Sequence, residues 1–189
     1  ITITAGATQA ILTAILCCVH PGDEVVVLPS GFTSTIASID TPFGPVDEAF
    51  APMAVTVRLT DDIDVSRGDL IARRRNQPHT AQDVEAMVCW LSEASSLRPG
   101  AKLAIKHTTR WARALVKDLQ YRLDVNPPLR HEGADSLSLN EIGRVTLRTT
   151  QPLLFDEYRR NRTTGSFILV DETTHTTVAA GMILAPLEG

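Results

Sequence analysis

From Pro21 onward the apolar positions of this chain recur mainly in short runs or at every second residue, a pattern that predicts strands. Val25-Val26-Val27-Leu28 reads as a short buried strand, stopped by the turn Pro29-Ser30-Gly31. Phe32 to Ile39, rich in Thr, Ser and Ile, predicts a second strand ending in the loop Asp40 to Pro45. Over Ala54 to Leu59 the alternation is clean: Val55, Val57 and Leu59 fall on one face, Thr56 and Arg58 on the other. Val84, Ala86, Val88 and Trp90 alternate in the same way. Gly143 to Thr149, Phe167 to Val170 and Val178 to Leu184 are further strands, the last preceded by a turn around Glu172 to His175. Trp111, Leu115, Leu119 and Leu123 fit both a strand and an i, i+4 helix, so pattern alone leaves that segment open. Short strands with a turn signal every ten residues or so predict antiparallel barrels or sandwiches.

The first 20 residues differ. Ile1 to Thr4 alternates like the end of a strand, and Ala5-Gly6-Ala7 is a small-residue turn. Ile11, Leu12, Ile15, Leu16 and Val19 recur at helical spacing, predicting one α-helix over Thr8 to Val19 that Pro21-Gly22 stops. A strand, a glycine turn and a helix start would offer free N–H groups to a phosphate. The domain reading is therefore a strand-turn-helix segment over 1–20, an all-β unit over 21–76 and a second all-β unit over 77–189. The basic stretch Arg73 to Pro78 serves as linker.

Composition changes this picture little. With 43% hydrophobic and 21% charged residues, the 189-residue chain has enough apolar content for a core. A net charge of −4 argues against a nucleic-acid binder. Cys17, Cys18 and Cys89 form neither a disulfide framework nor a C-x-x-C pair, which favours a reducing compartment and a cytoplasmic location. The longest apolar stretch, Ala10 to Val19, is too short to span a bilayer as a helix, and the start lacks the features of a signal peptide. The opening on Ile1 reads as a fragment.

Chemical motifs are few. No G-x-x-x-x-G-K-[ST] loop occurs, so no triphosphate cradle is expected. Asp62 to Gly68 begins like a calcium loop, but the glycine falls one place late and Arg73 stands where a bidentate glutamate is required. The five histidines (His20, His79, His107, His131, His175) lack metal-ligand spacing. Asn161-Arg162-Thr163 matches a glycosylation acceptor and is read as part of a loop. No nucleophile elbow or Cys–His pair is identifiable, so no catalytic residue, cofactor or metal is assigned within this chain. The basic loop Tyr158 to Gly165 stands out. Arg159, Arg160 and Arg162 are candidates for contact with an acidic partner surface, ahead of nucleic-acid phosphates because of the net negative charge. Arg110 and Arg113, on one strand, are expected to share a face and join them.

Two resemblances add to this reading. The words GFTSTIASIDT, EAFAPMAVTVRL, DDIDVSRGDLI, AIKHTTR, LVKDLQYRLDVN, LNEIGRVTLRTTQPLLFD and YRRNRTTGSFILVDE occur here in order. Over Pro21 to Leu184 the chain thereby resembles the two β-barrels that follow the GTPase domain in the large subunit of bacterial ATP sulfurylase (sulfate adenylyltransferase), a form also found fused to adenylylsulfate kinase. The resemblance implies a mainly β fold of two translation-factor-like barrels, the first incomplete, and resolves Trp111 to Leu123 as strand. It also implies a non-catalytic role in sulfate activation. The partners would be the GTPase domain of the parent subunit and the separate catalytic subunit, in a complex that uses GTP, ATP and Mg. No membrane is implied, and a translation-factor-like RNA-binding role is an alternative. Separately, residues 1–28 resemble fold-type I aminotransferases, in which the turn matching Gly6, Ala7 and Thr8 helps hold the phosphate of pyridoxal phosphate. Lys102, Lys106 and Lys117 all lack that family's Schiff-base context. The overlap of both resemblances in PGDEVVVL implies a chimera joined there, with an aminotransferase fragment as the alternative function.

Overall fold

The computed structural model describes residues 2–4, 10–12, 19–125 and 128–187. They form fourteen strands: β1 (Thr2–Thr4), β2 (Ala10–Leu12), β3 (Glu24–Leu28), β4 (Phe32–Thr41), β5 (Gly44–Pro45), β6 (Thr56–Leu59), β7 (Leu70–Arg73), β8 (His79–Trp90), β9 (Lys102–His107), β10 (Arg110–Val125), β11 (Pro128–Glu132), β12 (Ile142–Phe155), β13 (Ser166–Val170) and β14 (Thr177–Pro186). No helix occurs among the described residues, and none therefore is long and apolar enough to cross a membrane. The chain divides into two compact units, residues 1–78 and 79–189.

In the first unit the predicted N-terminal helix is not what forms over Ala10–Leu12. Ala10–Leu12 is a strand, paired antiparallel with Thr2–Thr4 so that Ile3 lies opposite Ile11, and Val19 bridges to Ala49. Residues 5–9 and 13–18, with the turn Gly6-Ala7-Thr8, lie outside the described residues. A short Ile- and Leu-rich run satisfies a helical and a strand period alike. The neighbouring strand β1 offers backbone groups that need partners, and pairing to it settles the choice as strand. The main sheet of this unit runs β5-β4-β3-β7, with β6 also on β4. Among the described residues β6 and β7 each pair with one strand only, so the row does not return on itself and makes a half-barrel. Val19, Val25, Val27, Ile36, Ile39, Ala49, Val55 and Ile71 form its core. The basic residues at the end of β7 and just after it are tied back to the start of β3. Arg73 donates to Asp23 at 2.7 Å, and Arg74 lies 3.5 Å from Glu24.

The second unit closes. Its strands run β10-β12-β8-β14-β13-β9 and back to β10, every pairing antiparallel, and β11 hangs from the far half of β10. Closure leaves the six ring strands with no free edge over the paired length, the strongest way to remove unpaired backbone groups. The period of two puts Val84, Ala86, Val88 and Trp90 inside with Leu103, Ile105, Val145, Leu147, Phe167 and Leu169. Trp90 satisfies its indole N–H by donating to the Ser95 carbonyl at 2.6 Å. Leu97 and Leu137, both fully buried, exchange two 2.9 Å backbone hydrogen bonds.

β10 explains why its sequence looked ambiguous. Register shifts between Val116 and Asp118, and between Leu119 and Tyr121, insert extra residues against β12. Each bulge flips the alternation. Ala114, Val116 and Leu119 therefore all face the core, while Trp111 stays outside.

Candidate functional site

The basic loop connects β12 to β13, and its shape follows from polar groups buried beneath it. Arg160 and Asn161 donate their backbone N–H groups to the Glu157 carbonyl at 2.8 and 3.0 Å, and Gly165 donates to the Asn161 carbonyl at 2.8 Å. The Asn161 side chain is buried. Its Oδ1 accepts from the backbone of Thr163 at 3.0 Å and Thr164 at 3.4 Å, and its Nδ2 donates to Asp156 Oδ2 at 3.3 Å. The same carboxylate oxygen accepts from the Thr164 hydroxyl at 3.0 Å. From below, His107 on β9, only 1% exposed, bonds through Nε2 to the Thr164 carbonyl at 2.6 Å. Facing a carbonyl, that nitrogen must carry the proton. Burial pushes the imidazole pKa below its ordinary value, so the ring is neutral at pH 7 and acts as a donor under the loop. A Cβ on Gly165 would lie 2.4 Å from Tyr158 Cα, so only glycine permits this close return of the backbone.

The arginines divide. Arg159, Arg160 and Arg162 are all exposed on this fixed loop, and the side chains of Arg159 and Arg162 engage no other group among the described residues. Arg110 and Arg113 do not share a face. They lie three residues apart on β10, and an odd offset on a strand reverses the side. Arg110 pairs with His107 and donates to the Pro152 carbonyl at 3.0 Å, whereas Arg113 pairs with Ala104 and meets Glu172 at 2.7 Å on the outside. Only Arg113 belongs to the outer wall. Two residues essential to the loop, His107 and Asn161, had no visible role in the sequence. The one usable signal was a small polar residue, Asn161, inside a run of arginines.

Beside the loop the outer wall carries a groove of about 620 Å³, lined by Met87, Cys89, Lys106, Tyr158, Ile168 and Met182 among others. Below it on β8, Glu85 is gripped by Arg144 and accepts from Gln120 at 2.7 Å. The Arg144 hydrogen bond holds the Glu85 carboxyl below the usual carboxylate range. Among the described residues no three His, Cys, Asp or Glu side chains converge as a metal site. The chemistry available on this wall is recognition: donors for carboxylates, and apolar side chains for a partner's apolar ones.

Residues 83–184 match the family model described as GTP-eEF1A C-terminal domain-like. The bifunctional enzyme CysN/CysC of Mycobacterium tuberculosis (strain H37Rv) is 60% identical over 163 residues, which are 86% of this chain and 26% of that protein. Sulfate adenylyltransferase subunit 1 of Bacteroides fragilis is 42% identical over 170 residues, 90% of this chain and 35% of that protein. The chain thus spans between a quarter and somewhat over a third of the length of these relatives. Neither is an aminotransferase, and the helix that the Gly6-Ala7-Thr8 turn was to open is replaced at Ala10–Leu12 by a strand. The crystal structure of sup35 complexed with GDP superposes with a TM-score of 0.80 at 20% identity, over 90% of this chain and 42% of that one. That likeness concerns the fold. The family match takes in more than half of the 189 residues and falls on the unit that closes as a six-stranded antiparallel ring, and the chain belongs to the GTP-eEF1A C-terminal domain-like family.

Proposed function

We propose that the chain is the non-catalytic barrel portion of a GTP-dependent sulfate adenylyltransferase large subunit. The observation that carries the reading is the 60% identity to CysN/CysC over 86% of this chain, a stretch long enough to reach into both units. In this reading the chain serves sulfate activation by contact. It packs against the GTPase domain of its parent subunit and docks the catalytic subunit, in the cytoplasm. GTP, ATP and Mg act in the parent complex and are held by other parts of it. The rigid loop with Arg159, Arg160 and Arg162 supports a docking role, because a contact surface fixed before binding loses less conformational freedom on association.

The test is size-exclusion chromatography with light scattering, on the full chain alone and mixed with the catalytic subunit of a GTP-dependent ATP sulfurylase. A stoichiometric complex is the expected result. A folded chain that elutes independently of the catalytic subunit would overturn the docking role.

A further inference from the structure

We infer that the outer wall of the second unit, from Trp111 across to Met87, docks an acidic protein segment that carries apolar anchor side chains. The inference rests on the partner-docking reading above and assigns its contact surface and the chemistry of what lands there.

A closed barrel whose core lies inside should be polar outside. Part of this one is not. Direct cross-strand partners share a face, and the register places Trp111, Lys106, Ile168, Ala180, Cys89 and Ile142 in one continuous row across β10, β9, β13, β14, β8 and β12. Five strand spacings make that row about 24 Å long, measured around the curved outer surface of the six-stranded ring. A second row beside it runs Ser166, Met182, Met87 and Arg144. Trp111 is 52% exposed and Met182 38%, so the wall is open to solvent at both. Lys106 Nζ lies 5.4 Å from the centroid of the Trp111 ring, a cation–π contact that orients the indole on the surface. Tryptophan and methionine are both enriched at protein interfaces, and here Trp111 on β10 and Met182 on β14 stand three strand spacings apart on the outer surface.

Charge selects the partner. No carboxylate lines the groove between these rows. Of the nearby acids, Glu85 is engaged by Arg144 and Glu172 by Arg113, and Glu157 stands exposed on the loop as the one carboxylate set against the cations there. The cations left over are Lys106 within the row and, on the loop whose Tyr158 and Thr163 line the groove, Arg159 and Arg162. On a chain of net charge −4 this is a local positive surplus, complementary to an acidic surface. An apolar centre with a basic rim is the anatomy of a protein–protein contact. A surface that tracks nucleic acid is basic along its length and offers successive stacking rings. Here one exposed tryptophan stands alone in its row.

The experiment measures binding of the full chain to the ATP sulfurylase catalytic subunit, with acrylamide quenching of tryptophan as the second readout. The chain has two tryptophans, and Trp90 is buried at 2%, so quenching reports on Trp111. Met182→Glu and the pair Arg159→Glu/Arg162→Glu change outward side chains only, and circular dichroism checks that each variant is folded. The expected result has three parts: Met182→Glu weakens binding by about tenfold or more, the arginine pair slows association and flattens its salt dependence, and the partner shields Trp111. Wild-type binding that both variants match, with Trp111 still open to acrylamide in the complex, overturns this assignment and leaves the partner reading standing. Absence of any wild-type complex removes the partner reading itself. Salt-dependent shielding of Trp111 by poly(U), without shielding by the catalytic subunit, overturns the assignment in favour of nucleic acid.

Discussion

Gly181 should not tolerate even a methyl group. It sits on β14 between Phe167 of β13 and Val88 of β8. A Cβ built there would lie 2.1 Å from Phe167 Cζ, and 2.5 and 2.6 Å from the two Cε atoms. Comfortable carbon contacts are about 3.5–4.0 Å, so the ring would have to move by roughly 1.5 Å. Phe167 is 4% exposed and belongs to the barrel core, which leaves it little space to do so. Overpacking of this kind costs about 1–3 kcal/mol. The backbone itself raises no objection, because Gly181 is absent from the glycines with positive φ. Without the ring, Gly181→Ala would stabilise by about 0.4–1 kcal/mol through the unfolded chain. The sign of the change therefore decides. Urea unfolding followed by the fluorescence of buried Trp90 measures it, and each kcal/mol lost should lower Tm by roughly 4–8 °C for a domain of this size. The double variant Gly181→Ala/Phe167→Leu adds a second test, since a shorter side chain makes room for the new methyl. It should be more stable than the sum of the two single changes by more than about 0.5 kcal/mol. A neutral or stabilising Gly181→Ala, or strict additivity, would refute the close-packing argument.

Three further substitutions test the polar groups. Burial holds the folded pKa of His107 below the unfolded value of about 6.5. The unfolded state then takes up the proton first, so His107's contribution is complete above about pH 6.5 and is lost as pH falls toward the folded value. The difference in Tm between wild type and His107→Gln should accordingly depend on pH between 7.5 and 5.5, and a constant difference would count against a neutral buried ring. Arg144→Met strips Glu85, whose side chain is 11% exposed, of its charged partner and should cost about 1–3 kcal/mol. Because the Glu85 pKa is lowered in the folded state, that contribution is present above about pH 4.3 and disappears as pH falls through the folded value. Arg113→Ala breaks an exposed pair with Glu172 and should cost no more than about 1 kcal/mol, so equal losses for the two arginines would contradict the difference in burial.

Much of the second unit is legible in its sequence, because alternation is a local property. Val84, Ala86, Val88 and Trp90 announce which side of β8 faces inward, and the structure buries all four. Arg110 and Arg113 belong to the same logic, and their three-residue offset already implied opposite faces. Trp111 to Leu123 did not follow the pattern, because bulges opposite β12 interrupt the period and a bulge is visible only against its partner strand. The N-terminal run fits two periods, and the pairing of Ala10–Leu12 with Thr2–Thr4 chose between them. His107 and Asn161 lie 54 positions apart and meet only through the loop they support, so neither position alone signals the other.

The sequence by itself determined the strands of the closing unit, their inward faces and, through a series of matching words, the kind of barrel to expect. Tertiary structure alone decided which strands pair to close the second unit, that a buried neutral imidazole props the basic loop, and that Trp111, Lys106, Ile168, Ala180 and Cys89 fall into one row. The physical reason is that the direction of a side chain along a strand depends on its near neighbours. The company it keeps depends on register between strands distant in the chain, and register is fixed by the packing of the whole barrel.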